Sequence, residues 1–226
     1  MSNPLNHTCL LCGSATNLIH LTHMKADYHH CDSCQFISKD SRFLIPEEEA
    51  LKIYNYHNNS IEDPRYVAYF QRFLDAAVLP FASEGKEGFD FGSGPSPVLA
   101  QLLERDYGYA MDIYDLFYAP DKVYEEKKYQ LVTTTEVVEH LQNPLPYFRL
   151  FKELLVPGGI LAVMTQFHAN VEADFIKWHY VRDHSHISFF TPVTMAYIAS
   201  QTGLVVIYTD NQRYITFKNP FPKESL

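Results

Sequence analysis

From residue 88 onward, short apolar runs alternate with segments whose apolar residues recur at helical spacing. Gly88-Phe89-Asp90-Phe91 reads as a strand that breaks at Gly92-Ser93-Gly94-Pro95-Ser96-Pro97, and Val98-Leu99-Ala100-Gln101-Leu102-Leu103 begins a helix. Tyr109 to Asp115 predicts a second strand. Tyr129-Gln130-Leu131-Val132-Thr133-Thr134-Thr135, apolar and β-branched, predicts another. A helix from Pro146 leads to Leu155-Val156-Pro157-Gly158-Gly159, a helix stop and tight turn, and then to a strand over Ile160 to Thr165. Thr191-Pro192 opens a helix from Val193 to Thr202 that Gly203 caps, and Leu204 to Tyr208 and Tyr214 to Lys218 supply two last strands. Alternation of this kind predicts an α/β fold around a doubly wound parallel sheet. Between the second strand and Tyr129 no strand is legible; Val123 to Glu126 is a poor candidate.

Before residue 88 the pattern changes. Residues 41–80 read as a helical connection, with Pro46-Glu47-Glu48-Glu49 suited to a helix start and Tyr66 to Leu79 at helical spacing. Between them Tyr54 to Ser60 forms a polar, aromatic loop, whose Tyr56, His57 and Asn59 either pack between domains or fold over a ligand as a lid. All four cysteines fall in residues 1–40, as Cys9-Leu10-Leu11-Cys12 and Cys31-Asp32-Ser33-Cys34. Two such knuckles match the spacing of a structural Zn²⁺ ribbon, and four thiolates close the coordination shell. Met1-Ser2-Asn3-Pro4 lacks the layout of a secretory signal, so the cytoplasm is the expected compartment and disulfides are disfavoured. His29 and His30 are the alternative ligands. The division is therefore a ribbon over 1–40, a linker or lid over 41–80, and the main domain over 81–226.

Composition narrows the partners. The formal net charge is -9 and only Lys127-Lys128 are adjacent cations, which speaks against a broad nucleic-acid footprint and for a small-molecule substrate. Mean hydropathy is -0.20, and no apolar run approaches the length of about 20 residues that a membrane span needs. Nothing in the sequence speaks to oligomeric state.

The break after Asp90 brings bare backbone N–H groups to a helix N-terminus, where a polar or anionic ligand can be held. The dinucleotide form G-x-G-x-x-G is not met, because position 97 is Pro. The stretch resembles motif I of class I S-adenosylmethionine (SAM) methyltransferases, an acid followed by G-x-G-x-G, with Ser96 where the third Gly usually stands. Glu136 to Pro144 and the later Pro157-Gly158-Gly159 resemble motif IV through the post-helix turn of that family. The resemblance implies a Rossmann-like mixed sheet of seven strands, ended by a hairpin. It also implies SAM held by Asp90, Gly92, Ser93, Gly94 and Pro95, by an acid at the tip of the second strand, and by Thr135 and Glu136. For that acid, Asp112 lies nearer the usual offset but would interrupt a buried strand. Asp115 ends the strand cleanly, followed by Leu116, in a run similar to bacterial zinc-ribbon methyltransferases. Asp115 is favoured.

Glu136-Val137-Val138-Glu139-His140 sets two carboxylates and an imidazole just past a strand's carboxyl end, on what reads as one helical turn. Carboxylates forced together repel unless a proton or cation intervenes. The pattern is similar to ubiquinone-type O-methyltransferases and to small-RNA 2′-O-methyltransferases, which implies Mg²⁺ or Mn²⁺ on Glu136, Glu139 and His140, completed by His186. Such an ion would chelate vicinal hydroxyls and acidify one of them; the metal-free version uses His140 or His186 as general base. His184 reads as structural, and Trp178, Tyr180 and Arg182 as cleft wall. Two rival readings stand beside O-methylation of a small hydroxylated metabolite: an RNA or protein methyltransferase with the ribbon as reader, and a non-catalytic binding module.

Overall fold

The computed structural model describes residues 7–55 and 60–222. The proposed lid residues Tyr56, His57 and Asn59 lie outside them. The chain opens with three short strands, β1 (Asn17–Leu21), β2 (Ala26–His30) and β3 (Ile37–Lys39), joined as an antiparallel meander. Two helices follow, α1 (Glu47–Asn55) and α2 (Pro64–Phe73), and α2 runs on into a π-helical turn over Leu74–Val78. Asp63 caps α2 and Pro64 occupies its first turn, where a missing N–H costs nothing.

The main sheet is then laid down by β4 (Glu87–Phe91), α3 (Val98–Tyr107), β5 (Ala110–Tyr114), β6 (Tyr129–Thr135), α4 (Pro144–Leu154) and β7 (Leu155–Met164). A short helix α5 (Glu172–Phe175), strand β8 (Ser188–Phe189), helix α6 (Pro192–Thr202) and the hairpin of β9 (Val205–Thr209) and β10 (Tyr214–Lys218) complete the chain. The strand order is β5-β4-β6-β7-β10-β9, parallel through β7 and antiparallel for β10 and β9.

This is the expected mixed sheet with six strands rather than seven. The chain between β5 and β6 forms turns, and Asp115 bridges Ala119 where a further strand would start. The Pro157-Gly158-Gly159 stretch is also not a loop. It is the irregular start of β7, where Gly158 (φ +83°) lets the strand bend and the register against β6 shifts.

Alternate residues of these strands face opposite layers. Val132, Leu161, Val163 and Phe217 pack with Phe148, Phe151, Met195 and Ile198 from α4 and α6. Leu131, Ile160, Ala162 and Met164 pack with Phe73, Leu74, Leu99 and Leu102 from α2, its π turn and α3. Strands covered on both faces must be apolar throughout, which is why they were readable as apolar runs.

The ribbon does not stand alone. Its β3 pairs with β8, so the first three strands and a segment 150 residues downstream make one four-stranded sheet. Ile19, Leu21, Tyr28 and Ile37 bury against Phe175, Tyr180, Val181 and Phe189. The boundary expected near residue 40 therefore ends the ribbon's chain but not its sheet. Among the described residues no helix is long and apolar enough to cross a membrane.

The start of α6 joins the two parts. Thr191 and Thr194 form a reciprocal capping box, Thr191 Oγ1 donates to Gln35 Oε1 at 3.0 Å, and Thr194 Oγ1 donates to the Cys34 carbonyl at 2.8 Å. Thr191→Ala removes the cap and the ribbon contact, and is expected to destabilise the chain by about 1–2 kcal/mol, read as a lower urea midpoint with unchanged slope.

Candidate functional site

At the carboxyl end of β4 the chain turns through Gly92 (φ +83°) and Gly94 (φ +66°), backbone conformations that favour glycine. The Gly92 and Ser93 amides both donate to the Tyr114 carbonyl, at 2.7 and 3.2 Å, which binds the turn to the neighbouring strand. A Cβ on Gly92 would come within 2.2 Å of the Val137 side chain. The turn and the Glu136 to His140 segment are thus in contact.

Asp115 stands just past β5. Its Oδ2 accepts from the Gly94 amide at 2.9 Å, and its Oδ1 accepts from the amides of Phe117 and Tyr118 at 2.9 and 3.1 Å. Its carboxylate therefore sits at the tip of the strand beside the glycine turn, with Leu116 exposed next to it. Asp112 is elsewhere. It lies level with Phe89, and its Oδ2 accepts from Lys127 Nζ and the Tyr129 hydroxyl, both at 2.7 Å. Those two bonds tie β5 to the approach to β6, whereas Asp115 is the acid that meets the glycine turn.

Asp90 is fully buried level with Thr133, whose hydroxyl donates to it at 2.7 Å. Burial pushes its carboxyl up to about 7, with the Asp115 charge adding to the effect. Ser93 Oγ is buried and has no hydrogen-bond partner among the described residues. Pro95 is exposed beyond Gly94, and Thr135 ends β6 half-buried.

Glu136 adopts a left-handed conformation (φ +54°), and its amide donates to the Met164 carbonyl at 2.8 Å, one step beyond the β6–β7 ladder. Only Val138–His140 form a 3-10 turn, so Glu136 and Glu139 do not share a helical face as the sequence predicted. They converge through a tyrosine instead. The Tyr180 hydroxyl lies 2.8 Å from Glu136 Oε2 and 2.6 Å from Glu139 Oε1. Tyr69 donates to the other Glu136 oxygen at 2.8 Å, and Thr165 to the other Glu139 oxygen at 2.9 Å.

A phenol has one proton and can satisfy one of the two carboxylates. With both ionised, the second contact would oppose lone pairs, so the cluster calls for a further proton or a cation. Burial, reinforced by the Glu139 charge, pushes Glu136 up to about 7, and burial also raises Glu139.

The imidazoles are oriented by carbonyls. His140 Nδ1 lies 3.0 Å from the Ser185 carbonyl and His186 Nδ1 lies 2.7 Å from the Tyr180 carbonyl. Carbonyls only accept, so both rings carry hydrogen on Nδ1, and His186 Nε2 lies 3.8 Å from Asp183 Oδ2. The ring centroids are 4.8 Å apart, and burial lowers the pKa of His140, which keeps it neutral. Ligand atoms from Glu139, His140 and His186 all lie within 4.8 Å of one another. Of the four residues expected to hold a divalent ion these three gather, while Glu136 stands next to Glu139 on the shared Tyr180 hydroxyl. His184 and Arg182 are exposed, while Trp178 packs on Tyr180 with centroids 5.0 Å apart.

The end of α1 roofs this region. Tyr54 lies 5.1 Å from the His140 ring and 5.8 Å from Phe117, and the Tyr118 hydroxyl donates to Asn55 at 2.6 Å. Tyr54, Tyr69 and Thr165 were not legible as site residues, because aromatics at helical spacing and a hydroxyl after a strand read as ordinary packing.

In the ribbon, Cys9 Sγ is 3.5 Å from Cys34 Sγ and Cys12 Sγ is 3.4 Å from Cys31 Sγ. All four sulfurs lie within 4.8 Å of one another. A disulfide would need about 2.05 Å, whereas thiolates about 2.3 Å from a tetrahedral Zn²⁺ stand about 3.8 Å apart. The histidines beside them are otherwise engaged, His29 with Asp40 at 2.9 Å and His30 with Asn170 at 2.7 Å.

Comparison with known proteins gives a consistent result. The family model of a methyltransferase domain matches residues 65–209. A ubiquinone biosynthesis O-methyltransferase of Dinoroseobacter shibae is 33% identical over 125 residues, 52% of this chain and 50% of that protein. Its namesake from Cereibacter sphaeroides is 28% identical over 134 residues, 55% and 54% of the two chains. The chain thus spans about half the length of these curated relatives. An O-methyltransferase family protein from Burkholderia thailandensis shares the fold, with a TM-score of 0.54 and 16% identity over 72% of this chain and 62% of that one.

The buried Asp90 makes a pH prediction. The folded chain keeps a proton that the unfolded chain loses from about 4 upward, so the stability this group contributes is present below that value and is lost as pH rises towards about 7. Urea unfolding across this window should show a smaller fall in stability for Asp90→Asn than for the wild type.

Proposed function

Because the chain belongs to the methyltransferase-domain family, we propose that it transfers a methyl group from SAM to an oxygen of a small hydroxylated metabolite. The observation that carries this reading is the contact between the glycine turn and Val137, which lies between Glu136 and Glu139 in sequence. SAM, when bound, supplies an electrophilic methyl on its sulfonium.

The chain's own residues divide the remaining work. Gly92 and Gly94 keep the turn free of side chains, and the unpartnered Ser93 hydroxyl and the Asp115 carboxylate supply polar groups beside it. Asp115 would take the ribose diol, as acids at strand tips do in open α/β sheets. In the metal-free version, neutral His140, whose Nδ1 is held by the Ser185 carbonyl, is the candidate acceptor of the substrate hydroxyl's proton. Tyr69, Tyr180 and Thr165 hold the two glutamates in place, and Tyr54 closes the site over His140. Proximity and alignment are the main contributions expected of such a site.

Glu139, His140 and His186 form an oxygen and nitrogen donor set suited to Mg²⁺ or Mn²⁺. An ion there would lower the pKa of a coordinated hydroxyl. The four cysteines would hold Zn²⁺ in a closed, structural site. O-directed transfer is favoured by the names of the relatives, and the net charge of -9 favours a small substrate over nucleic acid.

Titration calorimetry with S-adenosylhomocysteine (SAH) tests the reading. The wild type should bind it, and Gly94→Asp, which sets a side chain and a negative charge beside Asp115, should lose binding by at least about 100-fold, about 2.7 kcal/mol, while keeping its circular dichroism spectrum. No uptake by the wild type overturns the proposal.

A further inference from the structure

Residues 184–187 form a narrow strip between the ribbon and the reaction site. On the ribbon side, the Lys39 amide donates to the Ile187 carbonyl at 2.8 Å and Lys39 Nζ donates to the His184 carbonyl at 2.9 Å. Just beyond, Ile37 and Ser38 pair with Phe189 and Ser188. On the site side, the Ile187 amide donates to the Glu139 carbonyl at 2.8 Å, and the Ser185 carbonyl holds His140 Nδ1. Ser188 Oγ adds a bond to the Leu141 carbonyl at 2.5 Å. Ile187 therefore faces Lys39 with its carbonyl and the Glu139–His140 turn with its amide, while the carbonyls of His184 and Ser185 face one side each.

Lys39 is an unusual residue for this position. It is 5% exposed, and its neighbours on β3, Ile37 and Ser38, are buried as well. Burying an ammonium is costly, and a strand needed only to close a ribbon would be better served by an apolar residue. Burial lowers its pKa, while the charges of Asp183 and Glu49 act in the opposite direction. What the ammonium gains is the His184 carbonyl, one residue before the carbonyl that orients His140.

We infer that Lys39 is a positioning residue of the methyl-transfer site, and that the ribbon serves as the outer wall of that site rather than as a reader of a separate partner. Lys39 fixes the strip, the strip fixes the backbone of Glu139 and the tautomer of His140, and His186 is carried on the strip itself. Groups that orient ligating or basic side chains in this way commonly matter nearly as much as the side chains. The inference rests on the proposed assignment of Glu139, His140 and His186 as the reaction site.

The test compares the full chain with Lys39→Met and Lys39→Arg by amide hydrogen exchange, by SAH calorimetry, and by binding of Mn²⁺ alone read from its electron paramagnetic resonance signal. In Lys39→Met, exchange over residues 184–190 and 138–142 should rise by at least about tenfold while residues 88–103 keep their protection. SAH affinity should stay within about twofold and Mn²⁺ affinity should fall by about tenfold or more, with Lys39→Arg restoring most of both. Should Lys39→Met fail to fold, Lys39→Gln takes its place with the same expected pattern. Unchanged exchange over 184–190, or acceleration that extends equally to 88–103, overturns the inference. A wild type that takes up no SAH overturns the underlying reading instead, and one that takes up no Mn²⁺ overturns the cation assignment. Without Mn²⁺ uptake, the exchange comparison still decides whether Lys39 holds the strip against the Glu139–His140 turn.

Discussion

The Gly94 amide donating to Asp115 is the bond on which the site depends. Together with the Gly92 and Ser93 amides on the Tyr114 carbonyl, it ties the turn after β4 to the tip of the neighbouring parallel strand β5. The turn can be both open and rigid because its amides are anchored this way, and glycine is required at Gly92 by a positive φ and by Val137 pressing on it. The glycine turn and the Asp115 carboxylate are both held by backbone amides and carbonyls. Such a surface pays little ordering entropy when it binds.

A second constraint acts on the opposite wall. Glu139 is fully buried and Glu136 half-buried, and burial disfavours the charged form of each. Four hydroxyl contacts from Tyr69, Tyr180 and Thr165 satisfy their oxygens, but one phenolic proton cannot serve two anions. The wall is thus short of one positive charge or proton, next to two imidazoles whose orientation is fixed by carbonyls. A proton shared between the carboxylates, or a cation beside them, would make up that deficit. A fully neutral, apolar wall of the same shape would have no such deficit.

The sheet was largely legible because its strands are buried on both faces and carry unbroken apolar runs; β6 and β10 occur over the residues their patterns indicated. The cysteine knuckles were legible because four soft ligands at close spacing have few other uses. The glycine turn was legible through local chemistry at a strand end, and Asp115 meets it there through the Gly94 amide. What escaped was long-range. Tyr69 and Tyr180 reach Glu136 across 67 and 44 residues of sequence, and no local pattern marks such a meeting. Glu136 was read as helical because E-x-x-E suits a helix, yet a ladder bond to Met164 prolongs the strand geometry and turns the backbone left-handed. The seventh strand was expected from resemblance alone, and the chain closes around Asp115 and Ala119 instead. The ribbon's sheet could not be foreseen either, since β8 contributes only two residues to it.

A crystal structure of the full chain soaked with SAH and Mn²⁺ tests the central claim most directly. The account predicts the nucleoside against Gly92 to Gly94 with its ribose hydroxyls on Asp115, and the sulfur facing the segment from Glu136 to His140. Density for SAH at any other place, or a turn filled by the protein's own side chains, would contradict it.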